Sequence, residues 1–217
     1  MASFGQSGDM TFSGFGPDAS GFLRSLEQNN SRQFFDAHRQ QYEVDIRQPM
    51  EDLLGEAETT YGPGRVMRPN RDIRFSADKS PYKTSASMWA GTVAGVYLSL
   101  GTHHIEAGGG IYGPSRDQLA RARAAVDSVP TAATRLTEII DALHSAGFDM
   151  AGPSLTTAPR GYDREHPNIE LLRLKHYAAL ITLPVDAAPD DIRGAWEAVE
   201  PLIDWGNTFV EAAQSWP

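Results

Sequence analysis

Between residues 87 and 112 the chain reads "SMWAGTVAGVYLSLGTHHIEAGGGIY". Its three period-two stretches, "SMWAGTV", "GVYLSLG" and "HIEAGGGIY", are separated only by a turn at Ala94 and Gly95 and by a second glycine-containing turn. A parallel pair needs a crossover of a dozen residues or more, so connections this short force an antiparallel meander. An upstream stretch, "RDIRFSA", has the same period, with Ile73 and Phe75 on one face and Asp72, Arg74 and Ser76 on the other. All four segments are expected in one sheet.

Helical periodicity surrounds that sheet. "PDASGFLRSLEQNN" predicts a short helix that stops at two asparagines. After Ser31 as a cap, Phe34, His38, Tyr42 and Ile46 recur every fourth residue, and the stripe resumes at Met50, Leu53, Leu54 and Ala57, so a long helix kinked or restarted at Pro49 is expected. Gly113 and Pro114 end the meander, and "SRDQ" (Ser115 to Gln118) has the spacing of a capping box that opens a helix through Val126. Further helices are predicted from Thr131 to about His144, at "HPNIELLRL" with Pro167 in first position, and at the C-terminus in two pieces split near Pro201. "YAALITLP" reads as a buried strand. The fold class is α+β: a single domain over residues 12–217, with helices packed on one face of a largely antiparallel sheet, preceded by a flexible leader at 1–11.

Composition narrows the chemistry. There is no cysteine, which removes disulfides, thiolate nucleophiles and cysteine-bound zinc. No apolar run approaches the length of a membrane span, and no signal-like start is present, so a cytoplasmic protein with no membrane partner is expected. The formal net charge of −9 disfavours a surface that grips nucleic acid as a whole.

Against that background "RPNRDIRFSADKSPYK" gathers Arg68, Arg71, Arg74, Lys79 and Lys83 in one window. Asp72 is placed to orient a neighbouring guanidinium for a carboxylate or phosphate, and Tyr82 to line a pocket wall. The structural alternative makes the same arginines ion-pair partners of nearby acids. "AGGGIYGPS" puts three glycines in a strand, the mark of a bulge or of a close backbone approach, and the helix after Ser115 offers free N–H groups near the same end.

A second polar island, "APRGYDREHP", contributes Arg160 and His166. His166 is either a helix cap or a general acid–base group, the weak catalytic candidate of the chain. His166 with Glu170, and His104 with Glu106, have two-ligand spacings, and neither pair has a third donor, so no metal is expected. His38 reads as a hydrogen-bonded core histidine. No nucleophile elbow and no HExxH motif occurs, and no cofactor is expected.

"RPNRDIRFSADKSPY" resembles the signature Arg-x-x-Arg-Asp-x-Arg-Phe, then Asp/Asn-Lys, then Tyr, of the bacterial domain-of-unknown-function family 2461. The resemblance extends through "FFDAHRQQYE", "GGGIYGPSRDQLARAR" and "APRGYDREHPNIELLRLK", about residues 12 to 215. Where that family has a "GYYLHIEP"-like strand this chain has "GVYLSLGTHHIEAGGG", and no histidine role is carried to it. The resemblance implies no reaction, cofactor or catalytic residue. The expected function is binding of an anionic small molecule, phosphorylated or carboxylated, at Arg68, Arg71, Asp72, Arg74, Lys79, Tyr82 and Arg160, with any chemical processing left open. The alternative is a noncatalytic interaction domain that docks an acidic protein or a nucleic-acid backbone. Oligomeric state is not legible.

Overall fold

The computed structural model describes residues 11–16, 18–72 and 78–210. The leader expected at 1–11 lies almost wholly outside them. Helices α1 (Ala19–Gln28), α2 (Arg32–Ala37), α3 (Arg39–Tyr42) and α4 (Gln48–Tyr61) lead into strands β1 (Gly64–Val66), β2 (Ala86–Gly91), β3 (Gly95–Leu100) and β4 (His104–Ile111). Then come α5 (Arg116–Ser128), α6 (Pro130–Ser145), β5 (Asp149–Met150), α7 (Ile169–Arg173), β6 (Tyr177–Pro184) and α8 (Pro189–Val210). The strands form one sheet in the order β1-β2-β3-β4-β6-β5, every neighbouring pair antiparallel. The architecture is α+β.

Alternation along the meander divides the sheet into two faces. Met88, Ala90, Val96, Leu98, Ile105, Ala107 and Ile111 are all buried in the core, under α4 and α8. α8 comes closest because two glycines meet the partner element where a side chain would not fit. A Cβ on Gly206 would stand 2.9 Å from both Ala94 Cβ and Ile111 Cγ1, and one on Gly109 would stand 3.1 Å from Val199 Cγ2. Trp205 sits fully buried on this seam, stacked on Tyr177 at 5.3 Å, and its indole N–H donates to the Ala132 carbonyl of α6.

Several boundaries differ from expectation. α8 is continuous through Pro201. A proline inside a helix costs about 3 kcal/mol, but Val199, Leu202, Ile203 and Trp205 are buried on either side of it and hold both halves on one axis. The long helix at 32–61 breaks at His38, before Pro49, and passes through a π-turn at Glu43–Arg47. That turn supplies the Gln48 N–H to Glu43 O bond just ahead of Pro49, which has no N–H to give. The buried stripe runs through Phe35, Tyr42, Ile46, Met50, Leu53 and Ala57. His38 is exposed: its Nδ1 bonds the Phe34 carbonyl at 2.8 Å and its ring stacks on Phe34, so it is hydrogen-bonded but not core. α7 starts at Ile169, two residues beyond Pro167. β6 is buried only in its first half. The segment "RDIRFSA" falls largely outside the described residues, and the edge strand of the sheet is instead β1, which has too few residues to show a period.

The α8 seam gives a paired test. Gly206→Val should destabilise the fold by about 1–3 kcal/mol through overpacking. Gly194→Ala, at an exposed site of the same helix with nothing within 4 Å of an added Cβ, should stabilise by up to about 1 kcal/mol. Denaturant melts of both variants check the contrast.

Candidate functional site

Beyond β1 and β2 the same two strands continue as a ribbon: Met67 N–H donates to Ser87 O at 2.8 Å, Lys83 N–H to Pro69 O at 2.8 Å and Arg71 N–H to Pro81 O at 2.9 Å. The basic window is the outer part of this ribbon. Its far end is fixed to the helices at Tyr82, whose ring stacks on Phe35 at 4.1 Å and 11° and is 6% exposed. Asn30 grips the Tyr82 backbone from both sides, with Nδ2 donating to Tyr82 O at 3.0 Å and Oδ1 accepting from Tyr82 N–H at 3.1 Å. Tyr82 is therefore an anchor of the ribbon, its ring buried against Phe35.

Within the window the cations divide into two kinds. Arg71 is ion-paired with Asp78. Asp78 also accepts from Ser80, and those hydrogen bonds first, then Arg71, hold its carboxyl below the usual range. The acid on Arg71 is thus Asp78, the structural alternative for that residue. Asp72 and Lys79 are exposed, and Arg74 lies outside the described residues. Arg68 is exposed, and neither it nor Lys83 makes a side-chain hydrogen bond or ion pair among the described residues. Arg65, exposed on β1, likewise has none.

The second island is built on different elements. His166 sits against α5, its Nε2 3.3 Å from Asp127 Oδ1, while its Nδ1 accepts from Asn168 N–H at 3.0 Å. Both ring nitrogens are engaged within the chain, and the N-cap of α7 is Asn168, so His166 braces the loop ahead of the helix and is not its N-cap. It borders a groove of about 400 Å³ between α5, α6 and the loop before α7. Glu170 pairs with Arg173 at 2.7 Å and does not join His166. Arg160 is exposed and has no side-chain bond among the described residues, so nothing joins this island to the ribbon. No group of three or more His, Asp or Glu among the described residues is arranged to hold a metal ion.

The face of the sheet turned away from the helices carries a feature that sequence reading passed over. Cross-strand register puts Arg65, Trp89, Tyr97, Gly108 and Leu180 in one row, and Ser87, Ser99, Glu106 and Thr182 in the next. Trp89, Tyr97 and Leu180 are half-buried and stand outside the core cluster. Ser87 donates to Ser99 at 3.1 Å and accepts from the Tyr97 hydroxyl at 3.4 Å. Glu106 has no side-chain partner among the described residues. The only signal in sequence was the alternation itself, which could have assigned Trp89 and Tyr97 to the face opposite Met88 and Leu98.

The glycines at 108–110 serve the sheet. A Cβ on Gly110, at φ +121°, would approach Tyr177 O to 2.3 Å, so what lies against this backbone is the neighbouring strand. Beyond it Tyr97, Tyr112 and His176 stack in sequence, at 5.4 and 5.0 Å. The start of α5 is satisfied by its own capping box, with Ser115 accepting from Gln118 N–H and the Gln118 side chain accepting from Ser115 N–H.

Two outcomes follow from these anchors. Asn30→Ala strips both partners from the Tyr82 backbone and should cost about 1–3 kcal/mol, read as a loss of melting temperature. His176 Nδ1 accepts from Gly113 N–H at 2.9 Å, and burial, then Lys175, lowers the imidazole pKa. A histidine held neutral stabilises the fold fully above its unfolded pKa of about 6.5 and loses that contribution as pH falls toward the lower folded value. The difference in melting temperature between wild type and His176→Gln should therefore shrink on acidification from pH 7.5 to 5.

No helix among the described residues is long and apolar enough to cross a membrane. No curated protein and no solved structure is significantly similar to the chain. The family described as conserved hypothetical protein (DUF2461) matches residues 18–205, a span that takes in the ribbon, the open sheet face and the α5–α7 island together. The chain belongs to domain-of-unknown-function family 2461.

Proposed function

We propose that this protein binds an anionic small molecule, phosphorylated or carboxylated, on the ribbon that extends β1 and β2. The observation that carries the reading is the set of cations left without acids. In a chain of net charge −9, Arg65, Arg68 and Lys83 share one ribbon, yet none makes a side-chain ion pair among the described residues. Of the arginines elsewhere, Arg39, Arg47, Arg121, Arg173 and Arg193 each hold a carboxylate, while Arg32, Arg116, Arg135, Arg160 and Arg164, also without an ion pair among the described residues, are spread over α2, α5, α6 and the loop before α7. An unpaired guanidinium keeps its planar fork available for a carboxylate or phosphate. Arg71, clamped to Asp78, shapes the ribbon; Lys79 has an interaction of its own and Arg74 lies outside the described residues, so the reading rests on neither. Tyr82 and Asn30 hold the ribbon in register. Arg160 and His166 belong to a separate region and are left out of this site.

The proposal sets the protein in the bacterial cytoplasm, where phosphorylated and carboxylated metabolites are concentrated. It assigns a binding role and leaves chemical processing of the bound molecule open.

Ligand linkage tests it. Ten dissociation constants of free anion should stabilise the fold by about 1.4 kcal/mol, a rise of about 3–6 °C for a domain of this size. Phosphate, pyrophosphate and citrate should raise the melting temperature of the wild type at constant ionic strength. Arg68→Gln should melt like the wild type without anion and lose most of the response. An unresponsive wild type, or an Arg68→Gln variant that responds in full, would contradict the proposal.

A further inference from the structure

The open sheet face bears on what that anion is. Among the described tryptophans, Trp196 and Trp205 are buried, and their indole N–H groups donate to the carbonyls of Tyr97 and Ala132. Trp89 is different. It is half-buried on the face away from the helices, stands outside the core, stacks on no other ring, and makes no side-chain hydrogen bond among the described residues. A tryptophan so placed presents a large π-surface with a free donor at its edge. Its direct cross-strand neighbours are Arg65 on one side and Tyr97 on the other. Tyr97 already ends a stack of three rings through Tyr112 and His176, and the next ring along the row, Trp89, has no stacking partner among the described residues.

Charge and polarity agree with the same occupant. Arg65 adjoins Trp89 and is the first of the unpaired cations of the ribbon. Arg68, three residues on, has the opposite parity along the extended chain and does not share this face with Arg65. Ser87, Ser99 and the unpaired carboxylate of Glu106 line the next row of the same face. A ring on Trp89 would thus have acceptors on the same face, Ser87 in its own strand and Glu106 two strands away, and the Arg65 cation beside it.

We infer that Trp89 stacks a planar heteroaromatic ring while Arg65, its direct cross-strand neighbour, holds its phosphate, so that the ligand is a mononucleotide or a cofactor built on one. This deepens the anion-binding reading and rests on it. Glu106 accepts from N–H groups on the ring edge.

Titration calorimetry of the intact protein with AMP, GMP, ribose 5-phosphate, adenosine and inorganic phosphate tests the inference. At least one nucleotide should bind about tenfold or more tighter than ribose 5-phosphate, the contribution of one stacked base. Trp89→Leu should abolish that ratio and leave ribose 5-phosphate affinity as it was. Saturation transfer from protein to the H2 and H8 protons of the base needs no variant and should be strong in the wild type. If ribose 5-phosphate and both nucleotides bind alike, the ring site is overturned and the anion reading stands. If adenosine binds through Trp89 and no phosphate compound gains affinity over it, the anion reading falls and the ring site alone survives. If nothing binds, or only an oligonucleotide does, the inference is overturned.

Discussion

Everything exposed on this molecule is arranged by how closely α8 approaches the centre of the sheet. Gly109 on β4 and Gly206 on α8 leave out the two side chains that would hold the layers apart, and Val199, Ala94 and Ile111 fill the contact. With α8 seated there and α4 beside it over β1 and β2, one face of the sheet is fully consumed by the core. Among the described residues no helix covers the opposite face, where Trp89, Tyr97 and Leu180 are half-buried and Ser99 is buried. Helix packing therefore defines the candidate site indirectly, by deciding which face is left for a ligand.

The ribbon depends on a second and smaller device. Two unaided strands projecting from a sheet edge are marginal in water. Here the outer segment is tied back by Tyr82 on Phe35 and by the two hydrogen bonds from Asn30, and its tip is braced by Arg71 and Asp78. These ties are made by residues that would otherwise pass for site residues. With Tyr82 and Arg71 committed to structure, the ribbon cations that make no ion pair among the described residues are Arg68 and Lys83 of the basic window and Arg65, which lies outside it.

What was legible in the sequence follows from which forces are local. The meander was readable because turn length and period two are local properties, and β2, β3 and β4 fall where the alternation puts them. The Ser115 cap was readable because a capping box spans four residues. The continuity of α8 through Pro201 was not, since it is decided by burial of Val199 and Ile203 on the sheet, a tertiary effect that overrides the local preference of proline. The site was partly legible for the same reason. A cluster of cations announces itself, but whether Arg71 faces a ligand or Asp78 depends on a contact across the ribbon. Tyr82 looked like a pocket residue only because its stacking partner, Phe35, is 47 positions away in the chain. Trp89 was hidden by the reverse effect: it sits in a strand with good period and reads as ordinary sheet until the register puts Arg65 next to it.

The central claim is that the ligand occupies the open sheet face beside the ribbon. Backbone amide chemical-shift mapping of the full chain, titrated with pyrophosphate and with AMP, tests it most directly. The account predicts that pyrophosphate perturbs the amides of residues 64–70 and 81–85, and that AMP adds residues 87–89, 97–99 and 106–108. Shifts confined to the groove between α5, α6 and α7 around His166, or to the helices that cover the other face, would contradict it.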